Sequence, residues 1–153
     1  MYSIKDWGNT IWKLFHTIAN NIDEHKFLNI KNIVIDLTKL ICSNLPCPDC
    51  KQHATSLINN INMHKKINTK KDLINFYFEF HNLINKKLNK PLFNYNNLEK
   101  TYNKNEYILL SNKIVNILST SLYIPKLMMN NLNRTQSIPK IKQYLVTIYN
   151  NLE

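Results

Sequence analysis

A single glycine, Gly8, serves the whole of this 153-residue chain. Loops that cradle phosphates in P-loop and dinucleotide-binding proteins need several glycines at fixed spacing. Two-residue hairpin turns lean on glycine too, because it enters positive φ without steric cost. One glycine can build neither. The sequence therefore predicts an all-α fold, and its length with an apolar content of 44% suffices for one buried core.

Twenty Lys and Arg stand against ten Asp and Glu, a formal charge of +10. Such an excess can mark a nucleic-acid or anionic surface. Yet Arg134 is the only arginine, so the forked donor favoured at phosphate and guanine is almost missing. Asn, Ile and Lys are all heavily used, as A/T-rich codons would make them, and a solvated lysine surface is the simpler reading. No nucleic-acid partner is expected. The first residues, Met1 to Asp6, show no basic segment followed by an apolar run, so no secretory signal is read. The longest charge-free apolar stretch, residues 114–125, is too short and too polar to span a bilayer. The expectation is a soluble cytoplasmic chain with no membrane partner. Its three cysteines make no disulfide framework, and in a reducing compartment a C-x-x-C is a metal clip or a redox centre.

Apolar periodicity is helical almost throughout. Ser3 with Asp6 resembles a capping box, opening a first helix with the stripe Ile11, Phe15, Ile18 and Ile22. A second helix carries Ile30, Val34, Leu37 and Ile41, and is broken at Ser43-Asn44-Leu45-Pro46. A third begins near Cys47, with prolines where a first turn tolerates them. Thr69 caps a fourth, with Leu73, Tyr77, Phe80 and Ile84 facing the core, and Asn89-Lys90-Pro91 ends it. A short fifth turn is expected around Asn97 to Tyr102. Beyond it, residues 105–124 form a helical pattern stopped by Pro125, and a last helix is expected after Pro139. No internal repeat is visible.

Cys47-Pro48-Asp49-Cys50 is the most informative tetrapeptide. Thiols at this spacing form a readily exchanging pair, and a helix N-terminus favours the thiolate, lowering its pKa. The competing reading is a zinc clip of Cys47, Cys50, His53 and a remote ligand such as His81 or Cys42, in a non-enzymatic helical module with a basic nucleic-acid surface. The absence of a second C-x-x-C weighs against it. Trp12 and His16 lie one turn apart on the first helix, and His81, Asn82 and Asn85 share a face of the fourth. Together they could line a cleft for a planar, hydrogen-bonding redox cofactor beside the dithiol.

Three segments are then recognisable: residues 7–17 (Trp7-Gly8 through Trp12 to His16-Thr17), Leu45-Pro46-Cys47-Pro48-Asp49-Cys50, and residues 80–93 (Phe80-His81-Asn82 through Asn85 to Pro91-Leu92-Phe93). In order and separation the chain resembles the ALR/Erv family of FAD-linked sulfhydryl oxidases over residues 5–102, most of all the compact members carried by large DNA viruses. The resemblance implies a four-helix bundle with a short fifth helix binding FAD. It implies that Cys47 and Cys50 are catalytic, Cys50 next to the flavin and Cys47 facing substrate. By the same token Trp12 and His16 would line the adenine and ribose, and His81, Asn82 and Asn85 the flavin and adenosine. Lys87 and Lys90 would neighbour the pyrophosphate, with Gly8, His53, Leu88 and Phe93 as further contacts. Tyr102 stands where the family commonly has a tryptophan over the adenine.

The implied reaction carries electrons from a thiol-containing protein substrate through the Cys47/Cys50 disulfide to FAD and on to oxygen, giving hydrogen peroxide. Lacking a second cysteine pair, the chain is expected to take electrons directly, from a small C-x-x-C protein, with Cys42 a buried apolar side chain. No metal is expected. Flavin release is expected as His16 and His81 become cationic near a normal pKa of about 6.5. The resemblance also implies a homodimer through the first two helices, in the host cytoplasm or the virion if the chain is viral. It divides the chain into an oxidase core, 1–103, and a helical C-terminal extension, 104–153, of unassigned role.

Overall fold

A computed structural model describes residues 4–98, 102–120 and 128–153. Among the described residues seven α-helices follow in order: α1 Ile4–Asn21, α2 Phe27–Ser43, α3 Pro48–Asn59, α4 Met63–Lys66, α5 Lys70–Lys87, α6 Tyr107–Ser119 and α7 Met128–Tyr149. Short 3-10 turns at Glu24–Lys26, Tyr95–Asn97 and Lys104–Glu106 join them. Among the described residues the only β-pairing is an isolated bridge between Ile22 and Leu152. The fold is all-α, as expected.

The periodicity explains the helices that build the centre. Ile11, Phe15 and Ile18 along α1, and Ile22 just past its end, are all buried. α5 opens on a reciprocal capping box: Asp72 N–H donates to Thr69 Oγ1 at 3.1 Å, and Thr69 N–H donates to Asp72 Oδ2 at 2.9 Å. Two otherwise orphaned donors are thereby satisfied, worth about 1 kcal/mol for such a cap. Hydrogen bonds from the backbone of Asn68 first, and from Thr69 second, hold the Asp72 carboxyl below the usual carboxylate range. The Ser3 cap and the turn over residues 99–101 lie outside the described residues.

α1 packs against α5 on one side and α6 on the other, and α2 packs against α3 and α7. Ile114, Ile117, Ile141 and Ile148 belong to the same continuous apolar cluster as Leu14, Ile18, Val34 and Phe80. The helices after residue 104 thus complete the core that α1 and α2 begin. Their end is pinned as well: Asp23 N–H donates to Asn151 O at 2.9 Å, and Glu153 N–H to Asn21 O at 2.7 Å. Tyr107 OH donates to the Leu145 carbonyl at 2.7 Å, joining α6 to α7.

Two expectations are corrected here. α6 stops at Ser119, with Thr120 as its C-cap, while Leu122 and Pro125 fall outside the described residues. The last helix does not begin after Pro139. α7 runs from Met128 to Tyr149 with Pro139 inside it. An interior proline loses one helical hydrogen bond and crowds the preceding turn, at about 3 kcal/mol. Here Ile138 and Ile141 flank Pro139 and are both buried, so tertiary packing carries the helix through.

Candidate functional site

The α2–α3 corner sets the dithiol. Asn44 Nδ2 donates to Leu40 O at 2.7 Å and closes α2, after which Pro46 and Pro48 permit only an extended entry to α3. Cys47 is the N-cap, in extended backbone, and its Sγ accepts from Cys50 N–H at 3.3 Å. A sulfur at an N-cap meets the unpaired N–H groups and the positive end of the helix dipole. Cys50 is different. Burial pushes its thiol up to about 12, and the hydrogen bond shared with the Cys47 sulfur adds to the effect. The expectation of a thiol acidified by the helix start fails at Cys50, because one turn inside α3 desolvation outweighs the dipole.

Cys50 faces a cavity of about 310 Å³ between α1, α3 and α5. Of the residues singled out from the sequence, Gly8, Trp12, His53, His81, Asn85, Lys87, Leu88 and Lys90 share its wall with Cys50. Trp12 and His81 stack face to face, with centroids 4.2 Å apart and planes within 10°. Phe80 meets the Trp12 ring edge-on at 5.2 Å. Lys5, Lys87 and Lys90 bring positive charge to the wall.

Gly8 carries the clearest local signal. It lies inside α1, where glycine costs about 1 kcal/mol relative to alanine. A Cβ built there meets nothing within 4 Å, so close packing against the protein does not demand a glycine. The open space in front of it is the cavity.

His16, Asn82, Phe93, Tyr102 and Cys47 are not part of the cavity wall. His16 is fully buried behind it, with Tyr102 stacked at 4.9 Å and Phe93 at 5.5 Å. Its Nε2 lies 3.0 Å from His81 Nδ1, and its Nδ1 has no partner among the described residues. A stranded buried N–H is rarer than a stranded acceptor, which assigns the proton to His16 Nε2, donating to His81, and leaves the His81 proton on Nε2. Burial lowers the pKa of His16 to about 3 and that of His81 to about 4, with the neighbouring His81 and Lys90 charges as the smaller causes. Neither ring becomes cationic near 6.5, so the expectation of a normal histidine pKa at these two positions is corrected.

The sequence reading missed others in the wall, among them Lys5, Trp7, Asn9, Cys42, Phe80, Ile84 and Pro91. Lys5 precedes Trp12 by two helical turns on the face of Gly8, so carrying the motif back along α1 would have found it. Cys42 is 3% exposed, and burial pushes its thiol up to about 12. Among the described residues no group of three His, Cys, Asp or Glu side chains is placed to hold a metal ion, so the alternative zinc ligand set is not assembled.

A family model described as Erv1/Alr matches residues 9–103. The chain belongs to the Erv1/Alr family. Protein 096R of Invertebrate iridescent virus 3, which bears the name of a FAD-linked sulfhydryl oxidase, is 32% identical over 87 residues, 57% of this chain and 59% of its own length. Protein 347L of Invertebrate iridescent virus 6, similarly named, is 31% identical over 91 residues, 56% of this chain and 82% of its own. The FAD-linked sulfhydryl oxidase of African swine fever virus is 27% identical over 96 residues, 63% of this chain and 79% of its own. No solved structure gives a significant match. Membership of the Erv1/Alr family supports an oxidoreductase of thiol-oxidase type. No helix among the described residues is long and apolar enough to cross a membrane.

Proposed function

We propose that the chain is a FAD-dependent thiol oxidase that introduces disulfide bonds into partner proteins. The reading rests on the split placement of the dithiol: Cys50 shares the cavity wall with Trp12 and His81, whereas Cys47 stands outside it at the start of α3. The residues fit a flavin dinucleotide by their chemistry. Trp12, Phe80 and His81 would hold flat rings, Gly8 leaves room for them, and Lys5, Lys87 and Lys90 would neutralise a diphosphate without a glycine loop. When bound, FAD would supply the two-electron chemistry, taking the electron pair from the cysteines and passing it to oxygen as hydrogen peroxide.

The chain's own part is thiol exchange. A substrate thiolate attacks Sγ of Cys47 in the Cys47–Cys50 disulfide, forming a mixed disulfide and freeing Cys50. A second substrate thiol attacks the substrate sulfur of that bond, releasing oxidised substrate. Two electrons and two protons have then reached the cysteine pair. Attack falls on Cys47 because Cys50 is turned into the cavity wall. The two thiols share a hydrogen bond, close enough to close on one another again. Cys42 borders the same cavity but is buried, and a single thiol makes no shuttle disulfide of its own, so the substrate meets Cys47 directly, and a small C-x-x-C protein supplies both thiols.

The homodimer implied by resemblance would use α1 and α2. In this chain α6 packs on α1 and α7 packs on α2, and the residues left exposed are Lys5, Asp6, Asn9 and Lys13 on α1 and Leu28, Asn29, Asn32, Asp36 and Lys39 on α2. Light scattering on the purified protein tests the homodimer, which requires twice the 18.2 kDa of a single chain; a single-chain mass would contradict it. The activity is tested by oxygen uptake with dithiothreitol. Wild type should consume oxygen and yield peroxide, and both Cys47→Ser and Cys50→Ser should abolish uptake. Uptake that survives Cys50→Ser would overturn the proposal.

A further inference from the structure

α5 does not simply stop at the cavity; it hands the chain to a strap that crosses the cavity edge. Leu88 is its C-cap and Asn89 adopts φ 54°, the left-handed region that asparagine tolerates better than most side chains. The turn is closed by Lys90 N–H donating to Asn85 O at 2.8 Å. Lys90 and Pro91 then run along the cavity wall, and the chain returns to α5 at Phe93. There Phe93 N–H donates to Asn82 Oδ1 at 2.8 Å, and Asn82 Nδ2 donates to Phe93 O at 3.2 Å. One carboxamide thus holds both main-chain groups of one residue. The ring that this fixes lies 5.5 Å from both His16 and His81, within 19° of parallel to each.

We infer that Asn82 is a positioning residue rather than a cofactor ligand: its carboxamide latches the strap of residues 88–93 and, through Phe93, sets His81 in the cavity wall and His16 behind it. Asn82 is absent from the cavity wall, while the strap it holds contributes Leu88, Lys90 and Pro91 to that wall. Its carbonyl and amide groups are engaged with the Phe93 main chain, which is the work of a structural clamp. The consequence for the cofactor rests on the flavin reading above; the latch itself does not.

Asn82→Ala and Asn82→Asp separate the two roles. In flavin-free protein, Asn82→Ala should speed hydrogen exchange at the Phe93 amide about tenfold, the equivalent of one net hydrogen bond. In FAD-loaded protein it should speed flavin release by a similar factor, with the position of the visible flavin band unchanged. Asn82→Asp keeps the acceptor for Phe93 N–H and should fall between wild type and Asn82→Ala in both measurements. Two results would overturn the inference. One is unchanged Phe93 exchange in Asn82→Ala. The other is faster flavin release from Asn82→Asp than from Asn82→Ala, the mark of a carboxylate set directly against an anionic cofactor. Failure of wild type to bind FAD at all would sink the flavin reading instead, and amide exchange would still decide the latch.

Discussion

Trp12 of α1 and His81 of α5 lie ring on ring, 4.2 Å between centroids and 10° from parallel, and so tie two helices together at the wall that Cys50 also faces. Aromatic pairs of this kind contribute about 0.5–1.5 kcal/mol beyond their buried area. Trp12→Ala should lower the melting temperature and weaken FAD binding together, whereas Trp12→Phe should retain most of both. Thermal unfolding and flavin titration of the two variants check this. Equal losses in Trp12→Phe and Trp12→Ala would show that ring stacking is not what matters there.

Gly8 separates stability from function. Alanine inside a helix is favoured over glycine by about 1 kcal/mol, and a Cβ at Gly8 meets nothing within 4 Å. Gly8→Ala should therefore raise the melting temperature of the flavin-free protein by a few degrees while loosening FAD. Gly8→Leu, which projects further into the same space, should prevent FAD binding without unfolding the chain. Melting curves with and without added FAD read both effects.

The acid response follows from the two buried imidazoles. In the unfolded chain His16 and His81 take up protons near pH 6.5, but in the folded chain they do so only near about 3 and about 4. Between those limits the unfolded state binds more protons, so stability falls as pH drops from about 6.5 towards 4 and is undiminished by these groups above pH 7. Bound FAD should stay in place at pH 5, and the melting temperature should be lower at pH 4.5 than at pH 7. His81→Phe should flatten that decline. Release of FAD with a midpoint near 6.5 would contradict the burial of the pair.

The C-terminal helices should prove indispensable. α6 and α7 bury Leu110, Ile114, Ile117, Ile141, Leu145 and Ile148 in the common core. At about 1.5–3 kcal/mol for each buried aliphatic side chain, their loss rivals the ~5–15 kcal/mol that stabilises a typical domain. A chain ending at residue 103 should lose cooperative thermal unfolding, measured by circular dichroism. A sharp transition with native helicity would show that the first five helices stand alone.

How far these features could be read from the residues depends on the range of the interaction. The α1 stripe, the Thr69 cap and the start of α3 beside Cys47 are local, set by side chains within one or two turns, and all were legible. So was the company of Trp12, His81 and Cys50, because the three motifs point to one cleft. Long-range packing was not. Pro139 reads as a helix boundary until Ile138 and Ile141 are seen locked into a core. His16 reads as a cleft residue, yet Phe93 and Tyr102 close over it from elements far along the chain. Asn82 sits beside His81 in sequence, but its partner is a main chain eleven residues on. The apolar stripes of α6 and α7 announced that they pack on something, and only the fold identifies it as α1 and α2.

The most direct test is an anaerobic titration with dithiothreitol, followed in the visible flavin band, of wild type beside Cys50→Ser. The purified wild type should be yellow and its flavin should bleach as two electrons enter through the cysteine pair, while Cys50→Ser should bind flavin and resist bleaching. A colourless wild type, or a Cys50→Ser flavin that bleaches as readily as the wild type, would contradict the account.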